Sequence, residues 1–284
     1  MRDMTAARVR SAREVRTTTR RGRPVGTVVL RPVEMLACWD ALDLTDPPFL
    51  LQLRIPTHDH RERTARDFRT ALTALERRGL TDGRQALPPL TTMLRTLANP
   101  DHQLDIRFTG PGGRPVVGLG AVRAAHGVAA VISGGDGAVE LREMDGTRVA
   151  PWLLGLLGTT RAGIAPCVNL PVEVFDRAAS AAQDGSPWAF ADELIARGVP
   201  RRDATATARM LTGITFGGQL GVTMRRRGYE HRGPWVVGFV RNGAGESFVQ
   251  FRRGDTVTIG PADADRLLRH WAELLDHSAT VASR

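Results

Sequence analysis

The densest group of residues able to do chemistry is His58-Asp59-His60 with Glu62. Imidazole and carboxylate are suitable zinc ligands. Arg61, Arg63 and Arg66 flank the group, and their charge opposes a cation, so a solvated loop entering a helix accounts for it better. His270 and His277 stand seven positions apart, a spacing that puts both on one helix face, where the dipole favours imidazoles in the C-terminal half. Gly118-Leu119-Gly120-Ala121-Val122-Arg123 opens like a dinucleotide fingerprint. Arg123 occupies the place of the third glycine, however, and the surroundings read as strands with no helix following. Arg225-Arg226-Arg227 with Tyr229 and His231, and Arg252-Arg253, set guanidinium groups beside aromatic rings, as a single-stranded nucleic-acid surface would. Tyr229 is the sole tyrosine, and the triplet closes a strand before a hairpin, so a solvated tip is the simpler account. No GxSxG, P-loop, HExxH or EF-hand spacing occurs. Catalysis therefore has no residues to stand on, and neither a cofactor nor a metal site is expected.

The elements that would position these groups are readable from periodicity and punctuation. Thr27 to Leu30 reads as a β-branched strand, and Pro32 opens a helix running to about Leu44, ended by Pro47-Pro48. Phe49 to Pro56 reads as a short extended stretch. A long helix follows over Glu62–Arg78, with Phe68, Leu72 and Leu75 as its stripe and Gly79 as its cap, and another over Pro89–Ala98. Strands at 103–108, 115–124, 128–133 and 138–143 are separated by glycine-rich turns, including Gly110-Pro111-Gly112-Gly113, which predicts an antiparallel meander. Trp152 to Leu157 closes the first half as a helix. The second half follows the same plan: a strand at 167–170, helices at 171–182, 187–197 and 203–213, and strands at 218–227, 234–241, 246–252 and 255–259. Pro261 is expected to open the last helix.

The two halves also echo one another residue by residue. Pro32-Val33-Glu34 recurs as Pro171-Val172-Glu173 at an offset of 139 (33 to 172). Arg78-Gly79-Leu80 is matched by Arg197-Gly198-Val199 at 119, and Gln103-Leu104-Asp105-Ile106 by Gln219-Leu220-Gly221-Val222 at 116. Val116 to Leu119 is matched by Val236 to Phe239 at 120. Their shared order carries the inference of an internal repeat, spanning 27–160 and 166–276, whose copies pair about a quasi-twofold axis because neither buries its apolar face alone.

At 284 residues and 42% hydrophobic content the chain can bury a sizeable core. The formal charge of +9 suggests nucleic acid, yet all 39 basic residues are Arg and none is Lys, which resembles the codon bias of a GC-rich genome. Residues 1–26 hold eight Arg against Asp3 and Glu14, a net +6 that leaves only +3 for the rest; this stretch reads as a disordered arm, and 277–284 as a C-terminal tail. Cys38 and Cys167 lie in apolar contexts without metal spacing and are expected as free, buried thiols in a reducing compartment. The longest apolar run, around Trp152–Leu157, is far too short to span a membrane, and a soluble cytoplasmic protein is expected.

Over about residues 27–276 the chain resembles the EspG family, the chaperones of ESX (type VII) secretion in actinobacteria. The resemblance rests on Val28-Val29-Leu30-Arg31-Pro32-Val33-Glu34, Pro47-Pro48-Phe49-Leu50-Leu51, Gly217-Gly218-Gln219-Leu220-Gly221-Val222 and Val257-Thr258-Ile259-Gly260-Pro261-Ala262-Asp263-Ala264. It departs at Arg241-Asn242 and Gly245-Glu246-Ser247, where many relatives carry an acidic Asp-Thr pair and a Gly-Arg-Tyr turn, which bears on the partner more than on the fold. The resemblance implies one α/β (α+β) fold with a central, largely antiparallel sheet flanked by helical bundles. It also implies a cytoplasmic, non-catalytic chaperone that shields the hydrophobic tip of a PPE-type secretion substrate, binding no specific nucleic acid. It leaves a homodimer open. An Arg-dependent nucleic-acid binder and an enzyme without a recognisable motif are the rival readings. The resemblance places partner contact on the second-half sheet and its adjoining C-terminal helices. There Phe216, Gln219, Trp235, Phe239 and Phe248, with a rim of Arg225, Arg241 and Arg252, are the expected patch, because aromatic and Arg side chains dominate such interfaces.

Overall fold

A computed structural model describes residues 26–53, 61–110, 113–182 and 187–282, the side chains of 61–63 and 187 excepted. The His58-Asp59-His60 cluster, the Glu62 side chain, Pro111-Gly112 and almost all of the arginine-rich arm lie outside the described residues.

In the first half, β1 (Thr27–Leu30) leads to α1 (Pro32–Ala41), α2 (Arg61–Glu76) and α3 (Leu90–Ala98). The meander β2 (His102–Thr109), β3 (Pro115–Arg123), β4 (His126–Ile132) and β5 (Val139–Asp145) follows, closed by α4 (Val149–Gly155). A two-residue strand, β6 (Arg161–Ala162), bridges to the second half. There β7 (Val168–Pro171) precedes α5 (Val172–Ala181), α6 (Pro187–Ala196) and α7 (Arg201–Leu211). After them come β8 (Ile214–Arg226), β9 (Tyr229–Arg232), β10 (Val237–Asn242), β11 (Glu246–Arg253), β12 (Thr256–Pro261) and α8 (Ala264–Val281).

All twelve strands join one sheet of order β1-β5-β4-β3-β2-β8-β10-β11-β12-β7, with β9 beside β8 and β6 parallel to β11. Read inward from either end, the order is the same for the two halves. At the centre Leu104 pairs with Val222, Asp105 with Gly221 and Ile106 with Leu220. Asp105 and Gly221 are also counterparts in the repeat (105 + 116 = 221). A residue lying directly opposite its own counterpart sits on a twofold axis, which here passes perpendicular to the sheet through this pair.

Backbone punctuation builds both halves alike. Pro32 stands at the first helical position of α1 and Pro171 at the cap of α5. Gly79 (φ +68°) and Gly198 (φ +84°) end α2 and α6 with matching bonds, Gly79 N–H to Glu76 O with Leu80 N–H to Leu75 O, and Gly198 N–H to Ile195 O with Val199 N–H to Leu194 O. Only a residue tolerant of positive φ closes a helix in this way. The buried side chains Val28 and Leu30 correspond to Val168 and Leu170 at an offset of 140 (28 to 168), so the strand-to-helix joint is one residue shorter in the second half.

Three cores result. Helices α1–α3 pack Met35, Leu75 and Leu94 against Leu30, Leu119 and Leu141 on one face of the sheet, and α5–α7 pack Phe175, Phe190 and Leu194 against Leu170, Phe248 and Ile259 at the other end of that face. On the opposite face α4 and α8 cover Ile106, Leu220 and Phe239 with Leu153, Trp271 and Leu274. Gly118 and Gly120 serve this packing, since a Cβ on Gly120 would lie 2.2 Å from a Val149 methyl and one on Gly118 2.9 Å from Leu153. Between the two three-helix groups, the middle of the first face leaves Arg107 and Gln219 exposed on β2 and β8, with Asp105 buried beneath Arg232.

Several expectations are corrected. The offset-120 echo is not the structural equivalence: Gly120 faces Leu104 and Val237 faces Leu220, an offset of 117, and Leu119 and Phe239 enter cores on opposite faces. Pro261 ends β12 opposite Phe248, and Asp263 caps α8 by accepting from Arg266 N–H at 2.9 Å. Helix α8 continues through Val281, so residues 277–281 are not a tail; Ser278 is buried and donates to Leu274 O at 2.7 Å. Cys38 is buried but Cys167 is exposed, lying at the start of an edge strand. The segment 229–232, not expected as a strand, forms β9.

Candidate partner-binding surface

The eight residues expected to meet a partner divide between the two faces of the sheet, because alternate strand residues point oppositely. Phe216, Trp235, Phe239 and Arg241 lie on the α4/α8 face, while Gln219, Arg225, Phe248 and Arg252 lie on the other. Phe239 (3% exposed) and Phe248 (2% exposed) are core residues, so neither projects from the sheet, although the Phe248 ring lines the cavity described below. Gln219 is exposed at the middle of the sheet. Trp235 is half-buried, its ring against His277 (4.7 Å between centroids) and beneath the Arg253 guanidinium (4.6 Å).

The three arginines have internal work. Arg225 donates to Ala98 O at the end of α3. Arg241 lies over the Phe216 ring at 4.8 Å and donates to Leu157 O and Thr159 O, just beyond α4. Arg252 grips Asp176 of α5 and lies over the Phe175 ring at 5.8 Å. A guanidinium at a helix C-terminus satisfies carbonyls that lack intrahelical partners and opposes the negative end of the dipole. Arg225 acts in that way at the end of α3, and Arg241 ties β10 to the turn that follows α4.

The exposed apolar surface of the second half lies elsewhere. A cavity of about 820 Å³ opens between the stretch after β6, the first turn of α6, the end of α7 and the β10–β11 turn. Its lining is chiefly apolar, including Ile164, Pro166, Trp188, Met210 and Phe248. Gly163 sets its geometry: Gly163 N–H bonds Ser247 O at 3.2 Å, and a Cβ there would lie 2.2 Å from the Phe248 ring. The chain runs flat against that ring and then turns Ile164 into solvent, 96% exposed. Trp188 stands 67% exposed and Ile214, next to the cavity-lining Gly213, 48%. The opposite wall is fixed by buried Asn242, whose Oδ1 accepts from Ala244 N–H (3.1 Å) and Glu246 N–H (3.0 Å). Arg209 and Glu246 bring charge to the lining, and Arg161 lies 3.9 Å from Glu246.

Such a lining desolvates apolar side chains and offers no nucleophile beside a base. Ile164 and Trp188 were missed in the sequence because nothing local distinguishes an exposed isoleucine in Gly-Ile-Ala-Pro, or a tryptophan in a first helical turn, from a core residue. Among the described residues no three His, Cys, Asp or Glu side chains converge on a possible metal position. Burial, then the nearby Glu34 carboxylate, pushes the Cys38 thiol up to about 12, so it stays protonated and unreactive.

The sequence model of the EspG family matches residues 31–273. The chain belongs to the EspG family. Its fold is similar to that of the Mycobacterium tuberculosis type VII secretion system chaperone EspG5, solved in complex with a PE25-PPE41 dimer. The TM-score is 0.71 at 14% identity, covering 89% of this chain and 96% of that one. No curated protein sequence matches significantly. Peroxisomal multifunctional enzyme type 2 from Drosophila melanogaster aligns with a TM-score of 0.12, which carries no argument. Among the described residues of this EspG-family chain, no helix is long and apolar enough to cross a membrane.

Proposed function

We propose that this chain is a cytoplasmic chaperone of type VII (ESX) secretion that binds a PPE-type substrate and shields its hydrophobic tip, without catalysis or cofactor. Family membership and the fold shared with a chaperone solved with PE25-PPE41 support the reading. The observation that carries it on this chain is the apolar cavity flanked by Ile164 and Trp188. Large apolar side chains held in water mark surfaces meant to be covered, and a tryptophan is a common energetic anchor of such contacts. A partner's apolar side chain would enter the cavity while polar groups meet Gln219 and Gln250 on the adjoining sheet. Of the residues expected from sequence, Gln219, Arg225 and Arg252 stay eligible on that face, Phe248 lines the cavity itself, and Phe216, Trp235 and Arg241 stay eligible on the other face. The one-domain organisation in two half-repeats belongs to the same proposal: the first half braces the sheet and the second presents the surface.

The test is co-expression with a PE/PPE pair encoded near this gene. The wild-type chain should co-purify with the pair as a stable complex. Trp188→Glu and Ile164→Glu should abolish co-purification while leaving thermal unfolding of the free chain unchanged. A complex that survives both substitutions would exclude the cavity, and no complex with any neighbouring PPE-type product would remove the chaperone assignment.

A further inference from the structure

The β8–β9 hairpin is an exposed arm whose outer edge has no partner strand among the described residues. Strand β10 pairs with β8 over Ile214–Leu220, and β9 takes over the same side of β8 at Thr223–Arg226. Beyond β9 the sheet stops, and all four of its residues are exposed. The hydrogen-bond phase of this ladder is fixed from its other side. Arg225 N–H donates to Asp101 O at 2.9 Å, toward β2, and Gly233 N–H donates to Val222 O at 2.9 Å. Arg225–Glu230 and Thr223–Arg232 are therefore the non-hydrogen-bonded pairs, and in an antiparallel ladder the N–H and C=O of Glu230 and Arg232 point to the open side.

Charge and turn geometry add to this. Glu230 faces Arg225 in register, and Arg232 is held by Asp105, leaving Arg226 and Arg227 exposed without an ion pair among the described residues. Arg227 (φ +52°) and Gly228 (φ +84°) form the two-residue loop. Two positive φ values make a tight, well-defined hairpin, but arginine is a strained choice at its first position, where asparagine is favoured. Strand edges are commonly blunted by short length, charges, prolines or a covering loop; β9 is short and Arg232 turns inward to Asp105, but no proline lies within β9 and no strand covers its outer edge among the described residues.

We infer that the outer edge of β9 is a strand-addition site for an acidic, extended segment of a partner protein. Main-chain bonds from Glu230 and Arg232 supply the pairing, and Arg226 and Arg227 select negative charge. The inference stands apart from the chaperone reading, since it concerns a different surface and needs no PPE-type protein.

The probe is the blocked peptide Val-Glu-Val-Glu-Val-Glu, with its lysine-for-glutamate counterpart and an oligothymidylate strand as controls. Hydrogen exchange of residues 229–233 in the full chain is the readout, with calorimetry for affinity. The acidic peptide should slow exchange there and bind more weakly as salt rises. Glu230→Pro removes an outward N–H without touching the β8 ladder and should abolish binding. Arg227→Asn relieves the turn, so the hairpin stays folded, and should weaken binding about two- to fivefold, the loss of one exposed charge contact. If Glu230→Pro speeds exchange across 223–226, the hairpin itself is lost and the Arg227→Asn result decides. Absence of protection, equal protection by the lysine peptide, unchanged binding in Arg227→Asn, or protection by the oligonucleotide in place of the peptide would each overturn the inference.

Discussion

Gly221→Ala and Arg232→Ala should each destabilise the protein, and combining them should cost little more than Arg232→Ala alone. Asp105 lies on the twofold axis, 3% exposed, with Arg232 Nη2 at 3.1 Å from its Oδ1 and Nη1 against its Oδ2; the next cation, Arg107 Nε, is 4.0 Å away. Removing one partner of a fully buried pair costs about 3–5 kcal/mol. The Arg232 side chain is 42% exposed and Arg107 remains near, so about 2 kcal/mol is the reasoned figure here. A Cβ on Gly221 would lie 1.9 Å from Arg232 Nη2 and 2.7 Å from Asp105 Oδ2. The methyl therefore evicts the guanidinium and forfeits the same bonds. Once the arginine is gone only the end of the Asp105 side chain, 2.7 Å from the methyl, must shift, so the double variant should lose about 2 kcal/mol where additivity would give about 4. Urea unfolding followed by circular dichroism, with a shared m-value, measures all four chains. Additivity within about 0.5 kcal/mol, or a Gly221→Ala chain as stable as wild type, would refute the latch.

Gly163→Ala should lower stability by about 1–3 kcal/mol, because its methyl must displace a buried Phe248 ring, and should also abolish partner binding by moving Ile164; thermal unfolding and co-purification check the two effects. The Cys38 thiol has its pKa raised by burial from 9.0 to about 12. The unfolded chain therefore loses this proton first, so its contribution to stability is whole below pH 9.0 and falls as pH rises toward about 12, at up to about 1.4 kcal/mol per pH unit. Cys38→Ala should remove that part of the alkaline slope in denaturant titrations. Glu34→Gln should destabilise by about 1–3 kcal/mol, since buried Glu34 accepts from Arg31 N–H at 2.8 Å and holds Arg78 at 3.3 Å; equilibrium unfolding reads it directly.

The features legible in the sequence were those written in local backbone chemistry. Pro32 and Pro171 announce helix starts, Gly79 and Gly198 helix ends, and the glycine-rich turns the meander, so the α/β class and the quasi-twofold order followed from residues that act on their own neighbourhood. Register is a different kind of information. The valines at 116–117 and 236–237 look alike, yet β10 pairs with β8 three positions away from where the echo puts it, because strand pairing is decided by faces and not by matching letters. Strand β9 was hidden since Tyr229-Glu230-His231-Arg232 shows no apolar alternation; pairing with β8 and a contact from Arg232 to Asp105, 127 positions away, hold it. The expected patch is split between the two sheet faces for a related reason. Phe239 and Phe248 carry the area an interface needs, but which strand face meets a helix is a tertiary fact. Ile164 owes its exposure to the closeness of Gly163 to Phe248, which no window of sequence reveals.

Hydrogen exchange of the chain alone and in complex with its co-purified PE/PPE pair tests the chaperone reading most directly. Protection should appear in residues 162–166, 188–191, 206–214 and 242–246, which surround the cavity, and should extend to the sheet at Gln219. Protection confined to the outer surfaces of α4 and α8, with the cavity segments exchanging as in the free chain, would contradict the account.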